Sequence, residues 1–103
     1  MVMIHEYNGH YAYSEPVIKN WNDDSIGVYY CGVVAENKLR PFYIGKGAGD
    51  GGMRSRLLNH LTEDNWPDVT HFGFQRCDTI RETEAFEAEE INLYQPKYNN
   101  QGK

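Results

Sequence analysis

Residues 26–45 read IGVYYCGVVAENKLRPFYIG. Ile26 to Ala35 is rich in β-branched and aromatic side chains, which favour a pleated, half-buried strand. Glu36-Asn37-Lys38 is a polar turn, and Arg40 to Gly45 has strand composition again. The segment therefore predicts an antiparallel hairpin that sets Tyr29 and Tyr43 on neighbouring strands. Tyr30 must point to the opposite face from Tyr29 and reads as a core aromatic with a hydrogen-bonded tip.

Downstream, residues 45–52 hold five glycines, which argues against regular structure there. Met53 to about Glu63 predicts a helix, with Met53, Leu57, Leu58 and Leu61 on its apolar face. Arg56 and His60 are i,i+4 neighbours beside that face, so both can enter one cleft. Arg54 falls among the leucines and fits the wheel poorly. Trp66-Pro67-Asp68 breaks the chain before a strand over Val69–Cys77. Thr79-Ile80-Arg81-Glu82 has the form of a capping box, and the helix it opens runs to about Tyr94, stopping before Pro96. Upstream, Val2 to Tyr13 is a possible edge strand, and Pro16 with the polar Asn20–Ser25 run suggests a turn. The expectation is α/β (α+β): a small antiparallel three-stranded sheet flanked by helices over residues 26–103, with residues 1–25 as an N-terminal extension.

A chain of 103 residues has room for one modest core. An apolar content of 40% suits a globular protein, and no run approaches the ~20 apolar residues that span a bilayer. The N-terminus lacks a basic start followed by an apolar stretch, so no signal peptide is read and a cytoplasmic location is expected. Cys31 and Cys77 lack metal-type spacing and are expected to be buried thiols. The net charge of −5 is unevenly spread. Lys38 to Arg56 holds five basic residues against Asp50, whereas Asp78 to Glu90 holds six acidic residues against Arg81. A local basic patch on an acidic protein predicts weak phosphate binding with a shallow salt dependence.

The last helix sorts its acids by angle. With Glu87 at zero, Ile80 lies at about 20°, Ile91 at about 40°, Tyr94 at about −20° and Thr83 at about −40°. Glu87 is thus predicted mid-stripe, with Glu84 and Glu90 flanking and Glu82 and Glu89 outward. A carboxylate among apolar side chains needs a metal, a cation or a hydrogen-bond network.

These features in this order resemble the GIY-YIG nuclease family. Its two motifs correspond to Gly27-Val28-Tyr29 and Tyr43-Ile44-Gly45, with Lys46 following. Arg56-Leu57-Leu58-Asn59-His60 is similar to the family's helix motif, and Glu87 stands four before Ile91 as the family's metal-binding Glu does. Ile91 to Asn99 resembles the end of the nuclease domain in the bacterial excision-repair incision subunit. The resemblance covers about Ile26 to Asn99. Two departures stand out: the Gly47–Gly52 loop is longer than usual, which leaves Arg54 and Arg56 both open as the catalytic arginine, and residues 1–25 have no counterpart.

The resemblance implies a metal-dependent endonuclease acting on DNA. Glu87 would bind Mg²⁺ or Mn²⁺, which suit carboxylate, water and phosphate oxygens; the alternative is a structural Glu paired with Arg56 or Arg54. Arg56 would hold the scissile phosphate through its fork geometry, against a solvated surface arginine. His60 would orient the nucleophile or take its proton, against an exposed helix histidine. Tyr29 would act as the base and Tyr43 would position the water, provided that neighbouring cations favour phenolate; otherwise both are core aromatics. Lys46 and Arg54 would contact phosphate, and Asn99 would brace the site or simply form a turn. No GxxxxGK[ST] is present, which excludes a P-loop NTPase. A non-catalytic nucleic-acid-binding or adaptor module on the same fold is the main alternative, and a targeting protein partner is a further expectation.

Overall fold

A computed structural model describes residues 8–21, 24–63 and 66–99. The hairpin stands as read: β2 (Gly27–Ala35) and β3 (Lys38–Gly47) pair antiparallel through Tyr29↔Gly45 and Cys31↔Tyr43. Glu36 and Asn37 both take positive φ, 52° and 66°, the handedness that a tight two-residue turn needs to match strand twist. β3 continues two residues past the expected end, with Lys46 opposite Val28 and Gly47 opposite Gly27. The glycine-rich stretch is therefore strand as far as Gly47. Ladder bonds hold it there, and a Cβ on Gly47 would fall 2.4 Å from the Met53 backbone, so only glycine lets the next helix start that close.

That helix, α2, spans Gly52–Glu63 and buries Met53, Leu57 and His60. β4 (His71–Arg76) is shorter than expected and pairs antiparallel with β2. Cys31 is buried in β2, whereas Cys77 lies past the end of β4 and is only half-buried; both are free thiols.

The described residues form a four-stranded sheet of order β1-β4-β2-β3, not a three-stranded one. The additional strand, β1 (Asn8–Ala12), pairs antiparallel with β4 at the edge. The proposed edge strand is thus real over part of its span; residues 1–7 lie outside the described residues. The expected turn near Pro16 is instead a short helix, α1 (Glu15–Asn20), with Ser14 at its N-cap. Pro16 sits in the first turn, where a missing N–H costs nothing.

The sheet is covered on both faces. On one, Tyr29, Cys31, Phe72 and Phe74 pack with Ile18 of α1 and with Met53 and Leu57 of α2. On the other, Val28, Tyr30, Leu39 and Ile44 pack against Phe86, Ile91 and Tyr94 of α3 (Ile80–Tyr94). Alternation along β2 sends its aromatic pair to opposite cores, and this central strand is buried on both sides. The capping signal holds: the Thr79 hydroxyl accepts from Glu82 N–H at 3.0 Å, and the Glu82 carboxylate accepts from the Asp78 N–H at 3.0 Å. A 3₁₀ turn, Lys97–Asn99, closes the described chain.

Candidate active site at the sheet edge

Tyr29 and Tyr43 stand diagonally across the β2–β3 ladder on the α2 face, ring centroids 6.2 Å apart. Gly45, directly opposite Tyr29, makes this possible. A Cβ there would lie 2.5 Å from the Tyr29 hydroxyl and 2.7 Å from the Tyr43 ring. The last letter of the YIG motif is thus a packing requirement for both phenols.

His60 rises from α2 onto the pair. Its Nε2 lies 2.8 Å from the Tyr29 hydroxyl, and its ring meets Tyr43 edge-on at 5.3 Å. Trp66 closes the cluster, stacked on Tyr43 at 4.5 Å and tilted on His60 at 4.4 Å. Trp66 entered the sequence reading only as a chain break. Tyr43 lies on another element and His60 across a chain break, so no periodic signal exposes its role.

Electrostatics define the protonation states. Burial, and then the Arg56 charge, lowers His60 to about 4, so the ring is neutral at pH 7. Burial pushes Tyr29 far above the ordinary phenol range, and Arg56 opposes this only in part. Burial and then the Glu87 charge raise Tyr43. Desolvation thus outweighs the one cation close to both rings, and both phenols are shifted toward the protonated form. With both groups neutral, the Tyr29 hydroxyl and His60 Nε2 share one hydrogen bond whose donor is set by the imidazole tautomer.

The two arginines have different surroundings. Arg54 donates to the carbonyls of Ile18 at 3.3 Å and Lys19 at 2.9 Å, and pairs with Asp24 at 3.3 Å. It ties α1 to α2, away from the tyrosines, and this explains its poor fit to the helix wheel. Arg56 is exposed and acts electrostatically on Tyr29, Tyr43, His60 and Glu87. Among the described residues, no carboxylate lies within ion-pair distance of it.

Glu87 comes from the opposite layer and is half-buried. Burial raises its carboxyl above the ordinary range, and Lys46 and Arg56 offset this only in part. The site thus gathers at β3, an edge strand reached from both layers. The predicted stripe is rotated, however. Thr83 and Glu90 are the buried residues of α3, about 50° round the wheel from Glu87, while Ile80 is 52% exposed. Tyr30 causes the rotation: its hydroxyl donates to Glu90 at 2.6 Å and accepts from Gln75 at 3.3 Å, which gives the buried carboxylate a partner.

Lys46 pairs with Glu84 at 3.3 Å, both side chains partly exposed. Asn99 braces the site through backbone: its Oδ1 accepts from Ile44 N–H and its Nδ2 donates to Ile44 C=O, both at 2.8 Å. The side-chain amide acts as one residue of a further strand, between Tyr43 and Gly45.

Among the described residues, no cluster of three or more acidic, histidine or cysteine side chains is arranged to hold a metal ion. A Mg²⁺-type site needs less, since one or two carboxylates suffice when waters and phosphate oxygens complete the shell. Glu87 fits that role, because its charge is under-compensated and Glu84 stands one turn away on the same helix. No helix among the described residues is long and apolar enough to cross a membrane. Comparison with known protein families, curated proteins and solved structures returned no match.

Proposed function

We infer that this chain is a metal-dependent endonuclease of the GIY-YIG type, hydrolysing phosphodiester bonds in DNA in the cytoplasm. One observation carries the reading: Tyr29, Tyr43 and His60 are in mutual contact, with Arg56 acting on all three and Glu87 within reach of Tyr43 and Arg56. Phosphodiester hydrolysis needs an oriented water, a proton acceptor and positive charge at the phosphoryl oxygens.

Arg56, exposed and without a carboxylate partner among the described residues, meets the scissile phosphate with its fork. Tyr43 is the more accessible phenol and orients the water. Tyr29 relays a proton toward neutral His60 rather than acting as phenolate. Asn99 fixes the β3 backbone between Tyr43 and Gly45. Lys46 reaches phosphate on leaving Glu84. Glu87 would hold Mg²⁺ or Mn²⁺, which supplies charge neutralisation at the phosphoryl and leaving oxygens. Targeting then falls to a partner protein or to DNA shape, given the net charge of −5.

A non-catalytic nucleic-acid-binding or adaptor module is the second reading. Complete burial of Tyr29 and the Lys46–Glu84 pair favour it. Incubation with supercoiled plasmid separates the two. Nicking that needs Mg²⁺ or Mn²⁺, stops with chelator and is lost in Glu87→Gln supports the enzyme. Intact plasmid after incubation with folded protein and either metal leaves the binding module.

A further inference from the structure

Beside the candidate site, the outer edge of β3 carries a second, unassigned feature. Arg40, Phe42, Tyr94, Gln95 and Lys97 border a groove of about 210 Å³. That is below the usual range of roughly 300–1,000 Å³ for drug-sized ligands and suits a single planar ring system. Lys97 Nζ lies 4.1 Å from the Phe42 ring centroid, and the Arg40 guanidinium lies 5.7 Å from it. Two cations thus lie against one aromatic ring. Asp68 fixes this arrangement by accepting from Lys97 Nζ at 2.7 Å and from the Tyr98 hydroxyl.

Aromatic packing links the groove to the site. The ladder irregularity beside Gly32 lets Phe42 and Tyr43, consecutive in sequence, both pack on the α2-side core. Aromatic rings then run from Tyr43 to Trp66, Tyr98 and Phe42, with centroid spacings of 4.5, 6.3 and 6.2 Å. Gln95 stands at the same groove. It holds the left-handed C-cap of α3 at φ 46°, a position where glycine is usual. Its amide borders the groove and can bond a base edge.

We propose that this groove seats an unpaired nucleotide adjoining the scissile phosphate, so that the substrate class is DNA with a single-stranded flap or frayed end. A ring flanked by cations is the chemistry that holds single strands: an incoming base takes the Phe42 face from Lys97, and the displaced lysine meets a backbone phosphate together with Arg40. Duplex DNA keeps its bases inside and offers nothing to Phe42. The inference rests on the nuclease reading of the neighbouring site.

The test is binding of labelled flap and blunt duplexes of one sequence, without divalent metal, followed by cleavage with Mg²⁺. The native protein is expected to bind the flap roughly tenfold more tightly, the effect of about one stacked base. Phe42→Ala should erase the difference and leave duplex affinity unchanged. Gln95→Gly relieves the left-handed backbone, so folding is safeguarded, and should reduce flap preference alone. Equal affinity for both substrates, or equal weakening of both by Phe42→Ala, overturns the groove. Cleavage without flap preference defeats this inference and leaves the nuclease. Flap preference lost in Phe42→Ala, without cleavage, upholds the groove and removes the nuclease.

Discussion

The Tyr29 hydroxyl and His60 Nε2 lie 2.8 Å apart, joining the central strand to α2 inside the aromatic cluster. Both groups are buried, and neither carries charge at pH 7. Burial sets this state, and it gives His60 a measurable signature. An unfolded histidine titrates near 6.5, whereas His60 stays neutral down to about 4. Between those values the unfolded chain binds more protons, so stability rises with pH. The contribution is complete above about 6.5 and is lost as pH falls toward 4. His71 is shifted in the same direction, so the comparison must be with a variant. Denaturant unfolding from pH 4 to 8 should show a flatter profile for His60→Gln than for the native chain.

Gly45→Ala should cost roughly 1–3 kcal/mol, the usual penalty of overpacking. The new methyl would displace the Tyr29 hydroxyl and with it the His60 contact. Urea midpoints check the stability. A loss of the pH signature of His60 in this variant would show that the two effects share a cause.

Asn99→Ala should leave the Ile44 N–H and C=O without their partner, at about 1–3 kcal/mol. Amide exchange reports it directly. The Ile44 amide should exchange much faster in the variant, while the Tyr30 and Cys31 amides of central β2 keep their protection.

The arginines separate by the kind of loss. Arg56→Ala should lower cleavage by ~10²-fold or more, as when one charge-stabilising donor is removed, with little change in stability. Arg54→Ala should destabilise instead, since it detaches α1 from α2. Its cleavage rate, measured where the variant is folded, should stay within about tenfold of native, well short of that loss. The reverse pattern would exchange their roles.

Ion pairing should limit DNA affinity. With Arg54 engaged in the fold and Lys46 held by Glu84, few cations remain for phosphate. The slope of log K against log salt should be about −2 to −4. Glu84→Gln frees Lys46 and should steepen that slope by about 1. An unchanged slope would mean that Lys46 does not reach the DNA.

The local sequence determined the hairpin, the two helices and the last helix cap. These rest on short-range physics: β-branched runs, an apolar face of period 3.6 and a side chain that bonds its own backbone three residues on. It also supplied the two tyrosines, Arg56, His60 and Glu87 as candidates. Tertiary structure decided the rest. β1 became a strand because β4 offered an edge to pair with. Lys46 and Gly47 became strand because the ladder with β2 outweighed the glycine's freedom. Arg54 was taken from the site by two carbonyls of α1. The stripe of α3 turned toward Glu90 because Tyr30 stood opposite with a hydroxyl to donate. The tyrosines are shifted toward the protonated form because burial costs a phenolate more than one nearby arginine returns. Each of these outcomes depends on a partner far away in sequence, and a burial or a long-range bond has no period and no spacing to read.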